Sequence, residues 1–413
     1  MNPETPHAPK TPWLWVPSVY VMQSLPFAVV TALSVILFTT GGLETRWIGL
    51  WTSLLALPWV LKPFCAPLLE SVQKVRRVIV AFQAAMGILF LLCAAVLSLE
   101  QWPWALLALF LAVGILSALH DALVDGFYIR ALVEKQQSFF SGIRSTFFRI
   151  GMLLGVGGAA FACGKLERFG FSTQAAWQGV FVLLGGLCLL LAAYHAGVFA
   201  TLHPPARTRA DIEKTSASYA TVVIAFFQKK QLWAMLGFVL LYRFAEGMLT
   251  KLSPIFMLKE RGQGGLGLSV EHYGLLGGTF GVLALITGGI FGGWLVSRVG
   301  LKKCFWPMAF MLNVPDLLYV GLAWWQPQHL ATIGACVVVE QFGYGFGFTA
   351  FMVYLLYAAR GAYPTAHYAI LTGVMALSLL IPGALSGYVV EYLGFFQAFV
   401  LVCALTSLSF LAV

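Results

Sequence analysis

Charged side chains are scarce in this 413-residue chain. Asp, Glu, Lys and Arg together make up 10% of it, whereas an average soluble domain contains about 25%. Hydrophobic residues make up 60%, and the mean hydropathy is +0.86. This composition excludes an ordinary soluble domain. The net charge of +9 does not indicate nucleic-acid binding, because the basic residues lie in short loops between apolar segments of membrane length.

Several sequence motifs are also absent, and each absence argues against a class of function. The chain has no GxxxxGK[ST] phosphate-binding loop and no HExxH motif, so neither ATP-driven transport nor a zinc enzyme is expected. Its seven cysteines form no CxxC pair and lie within apolar segments, which predicts small buried side chains without disulfides or metal. No cofactor and no cleaved signal peptide are expected. An integral membrane enzyme and a channel are the less favoured alternatives to a transporter.

What the chain does contain is a series of apolar runs long enough to cross a bilayer as helices. Turn and charge signals divide these runs into twelve predicted transmembrane helices. The predicted helices cover residues 13–39, 44–69, 78–98, 103–132, 138–163 and 175–199 in the first half, and 231–257, 271–297, 303–324, 330–358, 364–390 and 394–412 in the second half. The predicted fold class is therefore an all-α polytopic membrane protein.

The predicted helices form two six-helix halves. These halves cover residues 13–200 and 231–413, with a polar N-terminus at 1–12 and a polar linker at 201–230. Basic residues concentrate in the loops that share a side with the N-terminus and the linker. Because cytoplasmic loops are enriched in Lys and Arg, both termini and the linker are predicted to be cytoplasmic.

The first-half helices carry charges at membrane depth, where an ionised side chain costs roughly 2.5–3.5 kcal/mol on insertion scales. Asp121 and Asp125 lie one helical turn apart on the fourth helix and share a face. A hairpin turn is predicted near residues 135–137. Counting the same number of residues from this turn along both helices places Arg149 of the fifth helix opposite residue 123, between the two aspartates. Lys62 of the second helix either snorkels to the surface or pairs with them. The cluster is thus a structural salt bridge or a proton-coupling site to which His120 contributes.

A second set of polar side chains lies near the middle of the second-half helices. Arg243 and Glu246, three residues apart on the seventh helix, either satisfy one another or contact a substrate. On the tenth helix, Glu340 precedes a run of alternating glycine and aromatic residues that allows close packing or lines a cavity. Asp316 on the ninth helix is expected to be structural. The candidate substrate-binding residues are Arg243, Glu246, Glu340, Gln341, Tyr344 and, on the first helix, Gln23.

The loop after the eighth helix, residues 293–303, reads GWLVSRVGLKK. Its glycine, arginine, glycine and paired lysines resemble the loop motif of major facilitator superfamily transporters. The first-half counterpart is degraded and retains Lys74, Arg76 and Arg77. The resemblance implies the major facilitator fold, in which two six-helix halves hold a substrate between them near the membrane midplane.

Further segments resemble one branch of that superfamily, the AmpG-type permeases. They are Ser117-Ala118-x-His120-Asp121 with Asp125, the stretch 48–68, FFRIGML at 147–153 and AHYAIL at 366–371. The resemblance implies an importer of anhydro-muropeptides released by peptidoglycan turnover. The branch is also related to acetyl-CoA transporters and to single-unit siderophore permeases.

Two departures from the muropeptide permeases keep a second substrate class open. Typical members are longer by two helices, and they tend to have glutamine where this chain has His120. Compact members include siderophore importers, so uptake of a ferric chelate is the alternative. We expect a monomeric secondary transporter of the bacterial inner membrane that moves a small molecule by symport with protons, embedded in the lipid bilayer and without nucleic-acid partners.

Overall fold

The computed structural model describes residues 12–62, 74–132, 134–201, 219–361 and 363–412, and these residues are almost entirely helical. Three predicted features lie wholly or mainly outside the described residues. They are the polar N-terminus, the end of the second helix with its loop, and most of the linker.

The first half contains six helices. They are α1 (Pro12–Thr40), α2 (Thr45–Leu54, followed by the helical residues 57–62), α3 (Val75–Val96), α4 (Trp102–Ala131), α5 (Glu134–Leu153, continued by Leu154–Gly158 and Ala159–Arg168) and α6 (Thr173–Thr201). Two π-helical turns interrupt them, Val29–Leu33 in α1 and Leu154–Gly158 in α5. Such turns occur often at functional sites.

The second half begins after a short helix, Tyr219–Phe227. Its first four helices are α7 (Leu232–Leu241 and Phe244–Leu258), α8 (Val270–Val299), α9 (Leu301–Trp325) and α10 (Leu330–Ala358). The helical stretch Pro364–Leu405 is broken at Gly394, whose φ of 78° suits glycine. The break separates α11 (364–393) from α12 (395–412).

Ten helical segments of the described chain are long and apolar enough to cross a membrane. That number treats α11 and α12 as one segment and leaves out α2, whose predicted end lies outside the described residues. The helices are therefore consistent with the twelve predicted ones. Large apolar side chains such as Leu190, Trp233 and Ile290 are exposed on the outside of the bundle, as expected for a surface that faces lipid.

Helix packing follows the same plan in both halves. In the first half α1 packs on α5, and in the second half α7 packs on α11. Two further pairs join the halves, since α2 packs on α11 and α5 packs on α8. We call the end of the bundle where α6 ends and α7 begins the linker end, and the opposite end the far end.

Glycines bring the two halves into close contact at the far end. A Cβ atom added to Gly157 of α5 would lie 2.4 Å from the carbonyl oxygen of Gly278 in α8. One added to Gly387 of α11 would lie 2.1 Å from the carbonyl oxygen of Thr45 in α2. Real Cβ atoms do not approach this closely, so both helix pairs that join the halves close at the far end only because these positions are glycine.

We expect Gly157→Ala and Gly387→Ala to shift the protein towards a state with an open far end. Overpacking costs about 1–3 kcal/mol, which changes a two-state population about fivefold or more. A cysteine introduced at buried Ser53 of α2, in a cysteine-free background, should then react faster with a water-soluble thiol reagent. The matched controls are Gly186→Ala and Gly237→Ala, where a Cβ atom meets open space. Unchanged labelling in both interface variants would contradict this expectation.

Candidate functional site

Four charged side chains meet inside the first half, and we call them the charge tetrad. Lys62 of α2 pairs with Asp121 of α4 through its Nζ atom, and the same atom lies 3.7 Å from Oδ2 of Asp125. Arg144 of α5 lies 3.6 Å from Oδ1 of Asp125. Two cations thus balance two carboxylates.

Aromatic side chains connect the charge tetrad to α1. The Tyr20 hydroxyl donates a hydrogen bond to Oδ1 of Asp125 at 3.1 Å. The Arg144 guanidinium lies 5.0 Å from the centre of the Tyr20 ring and 5.2 Å from that of Tyr128, which are cation–π distances. Asp125 therefore links α4 to α1, α2 and α5 at one point.

The prediction that Arg149 lies between the two aspartates is wrong, because Arg144 takes that place. The helix α4 ends at Ala131 and α5 begins at Glu134, so the hairpin turns before the predicted residues 135–137. The earlier turn moves the residue opposite the aspartates towards the start of α5. Lys62, Asp121 and Asp125 do come together.

His120 belongs to a separate chain of buried polar side chains that leads away from the aspartates. Its Nε2 atom lies 3.0 Å from Nε2 of Gln83 in α3. Oε1 of Gln83 lies 2.9 Å from Nδ1 of His195 in α6, and Nε2 of His195 lies 2.9 Å from Oγ of Ser18 in α1. Sequence reasoning missed Gln83 and His195, although each is an isolated polar residue within an apolar run. A relay from His120 to Asp121 stays a prediction.

In the second half, Arg243 lies at the break in α7 and turns towards α10. Its guanidinium donates a hydrogen bond to the Tyr344 hydroxyl and lies 4.4 Å from the centre of the Phe348 ring. Its Nε atom is buried without a hydrogen-bond partner. Glu246, one turn further along α7, makes no ion pair within the described chain. The alternative in which Arg243 and Glu246 satisfy one another is therefore not observed.

Glu340 of α10 is buried among polar side chains of its own half. Its Oε2 atom accepts hydrogen bonds from Nε2 of Gln341 at 3.0 Å and from the Tyr319 hydroxyl of α9 at 3.3 Å. Asp316, also on α9, is 2% exposed, and its Oδ1 atom has no hydrogen-bond partner. Gln23 of α1 is likewise buried with an unpartnered Oε1 atom.

Arg149 faces the second half instead of the aspartates. Its Nη2 atom lies 3.4 Å from the point that a Cβ atom on Gly289 of α8 would occupy, and it is within electrostatic range of Tyr344. Tyr344 thus bonds to Arg243 and is within electrostatic range of Arg149. Neither guanidinium has a carboxylate partner among the described residues. Two uncompensated guanidinium groups at an interface between helices form a suitable place for an anion.

Lys251 of α7 is a buried cation that bonds to the other half. Its Nζ atom donates hydrogen bonds to the carbonyl oxygens of Thr31 in α1, at 3.0 Å, and of Thr52 in α2, at 3.2 Å. Thr31 lies within the π-helical turn of α1. Lys251 therefore fastens the second half to the first near the far end.

We expect Lys251→Met to weaken the closed far end by about 1.5–3 kcal/mol, the range for hydrogen bonds to a charged group. Spin labels on cysteines placed at Glu44 and Tyr392, at the far ends of α2 and α11, should report longer distances. The matched control is Lys230→Met, which removes an exposed lysine at the linker end. An unchanged distance distribution would show that Lys251 does not hold the halves together.

Comparisons with known proteins agree with this architecture. The family model described as Major Facilitator Superfamily matches residues 18–377. The chain is 25% identical to the anhydromuropeptide permease of Escherichia coli K12 over 95% of its own length and 77% of that protein. It is also 25% identical to an uncharacterized protein of Haemophilus influenzae, over 91% and 88% of the two chains.

Solved structures of transporters share the fold at low sequence identity. The nucleoside transporter NupG superposes with a TM-score of 0.71 at 15% identity, covering 98% of both chains. A D-xylose-proton symporter superposes with a TM-score of 0.72 at 12% identity, covering 97% of this chain and 96% of the symporter.

Proposed function

Because this chain belongs to the Major Facilitator Superfamily and is a membrane transporter, we propose that it imports an anhydromuropeptide or a related cell-wall sugar, driven by protons. The alignment with an anhydromuropeptide permease covers nearly the whole chain and agrees with the AmpG-type segments of the sequence. The observation that carries the substrate proposal is the pair of uncompensated guanidinium groups at Tyr344.

An anhydromuropeptide suits this site by its chemistry. Its peptide carries carboxylates, and its sugar rings have apolar faces. Arg149 and Arg243 would each bind a carboxylate, since the guanidinium group forms paired hydrogen bonds with that group. Tyr344 and Phe348 would pack against a ring of the solute. The binding site would then lie between α5 of the first half and α7 and α10 of the second half, near the middle of the helices.

For proton coupling we propose the charge tetrad. Asp125 is held by Lys62, Arg144 and Tyr20 from three neighbouring helices. Protonation of Asp125 would remove the negative charge that attracts Lys62 and Arg144. Both cations would then be held more weakly, because a neutral carboxyl binds cations weakly. The first half would then be free to rearrange while Lys62 stays paired with Asp121.

We further propose that the protein lies in a bacterial inner membrane as a monomer, with its linker end in the cytoplasm. Basic loop residues at the linker end support this orientation. In this orientation the glycine contacts and Lys251 close the periplasmic side.

The test of the substrate class is thermal stabilisation of the purified protein by candidate solutes. A ligand at 100 times its Kd stabilises the native state by about 2.7 kcal/mol. We expect an anhydromuropeptide to raise the Tm, and a nucleoside and a ferric siderophore to leave it unchanged. A shift with the ferric siderophore alone would replace the proposal with iron uptake.

A further inference from the structure

Three carboxylates are buried in the interior of the second half, and we call them the carboxylate triad. Glu246 of α7 is 5% exposed, and Asp316 of α9 and Glu340 of α10 are each 2% exposed. Asp316 is within electrostatic range of both glutamates, and the two glutamates are within range of each other. The three side chains come from three different helices, so sequence spacing does not bring them together.

The carboxylate triad lacks the cations that would balance it. No member makes an ion pair within the described part of the chain. Arg243 is within range of Glu246, but its guanidinium is bonded to Tyr344. In the charge tetrad, by contrast, two cations balance two carboxylates. The described chain thus contains one compensated cluster and one uncompensated cluster.

Two unsatisfied polar atoms indicate that the carboxylate triad takes a ligand. Oδ1 of Asp316 is buried without a hydrogen-bond partner, and so is Nε of Arg243. In addition, α7 is interrupted between Leu241 and Phe244, directly before Glu246. Interrupted membrane helices commonly supply the ion sites of transporters. A buried carboxylate without a cationic partner is neutralised when it takes up a proton.

Apart from Arg243, the other groups around the carboxylate triad are neutral at neutral pH by their ordinary chemistry. The titratable and charged side chains within electrostatic range are Arg243, Tyr273, Tyr319, Tyr344 and Cys403. Arg243 is the one cation among them, and because one cation cannot balance three carboxylates, at least two carboxylates remain without one. A buried carboxylate without a partner is costly in a membrane, where it takes up a proton instead of staying ionised.

We propose that the carboxylate triad is a second proton site, which holds at least two protons in this conformation and gives up a proton during transport. The proposed ligand is a proton, because a buried carboxylate without a cationic partner takes up a proton instead of staying ionised. The role of the carboxylate triad in coupling rests on the proposed proton-driven uptake. The protonation of its carboxyl groups does not depend on that proposal. More than one proton would then move for each solute molecule.

Infrared difference spectroscopy of the purified protein tests the protonation directly. Wild-type protein at neutral pH should show the C=O stretch of protonated carboxyl groups, and this band should weaken in Glu246→Gln, Asp316→Asn and Glu340→Gln. The matched control is Glu391→Gln, which changes a glutamate at the far end near Arg46 and should leave the band unchanged. Because wild type must show the band, the test does not depend on the folding of any variant.

Two spectroscopic results would overturn the proposal. A band that is absent from wild type, or that all three variants retain in full, would show that the carboxylates are ionised. A band that disappears on adding sodium ions would show that the site binds a metal cation.

The transport role is tested with Asp316→Asn in liposomes, because Asp316 is the one member of the carboxylate triad that is not a candidate substrate-binding residue. We expect this variant to exchange labelled for unlabelled anhydromuropeptide at the wild-type rate, while uptake driven by a proton gradient falls to the level without a gradient. Gradient-driven accumulation at the wild-type level would overturn the coupling role. Failure of wild type itself to exchange the solute would refute the proposed substrate and leave the infrared result standing.

Discussion

Replacing Lys62 with methionine is expected to destabilise the protein by about 3 kcal/mol. Removing one partner of a buried ion pair typically costs 3–5 kcal/mol, because the other charge is left uncompensated. The lower end applies here, since the side chains of Lys62 and Asp121 are 27% and 17% exposed. Without Lys62, Asp121 loses its cation and Asp125 keeps only Arg144. Unfolding in detergent, followed by helix content against denaturant, measures the loss.

A second substitution separates charge from packing. Lys62→Met combined with Asp121→Asn removes both charges of one pair, and the combination should recover most of the lost stability. The exposed lysine in Lys230→Met serves as the matched control and should lose little, since exposed ion pairs contribute about 0–1 kcal/mol at most. If the losses of Lys62→Met and Asp121→Asn simply add, the two residues do not stabilise each other.

Arg243→Ala and Arg149→Ala are expected to weaken the binding of an anionic solute by about 10- to 100-fold each. Each substitution removes charge-assisted hydrogen bonds, which contribute about 1.5–3 kcal/mol. The dissociation constants of an anhydromuropeptide and of its esterified, uncharged analogue measure the effect. Only the binding of the anionic form should weaken strongly.

The control for this pair is Arg298→Ala, which removes an exposed arginine at the linker end. It should leave both dissociation constants unchanged. An equal loss of affinity for the anionic and uncharged solutes would mean that the two arginines shape the site without binding the carboxylates.

The helices could be predicted from sequence because length and apolar composition suffice to identify a membrane-spanning helix. The helix at 330–358 was predicted with the bounds that the structure gives to α10. The predicted helix boundaries were wrong where they depend on the geometry of a local turn. The turn between α4 and α5 comes earlier than predicted, and that small shift exchanged Arg149 for Arg144 as the partner of Asp125.

The sites were less predictable because their residues come from helices that are distant in sequence. Pairing of Lys62 with Asp121 was one of two alternatives, and the structure favours it. Nothing local indicates that Lys251 reaches the backbone of α1 and α2. In the same way, isolated polar residues such as Gln83 and His195 acquire partners only when the helices assemble. Tertiary packing decides these contacts.

Proton-driven accumulation is the central claim, and uptake by purified protein in liposomes tests it most directly. Labelled anhydromuropeptide is added outside liposomes whose interior is more alkaline than the medium, with and without a proton-conducting ionophore. The account predicts accumulation above the outside concentration that the ionophore abolishes and that Asp125→Asn lacks. Uptake that stops at equal concentrations inside and outside, whatever the gradient, would contradict it.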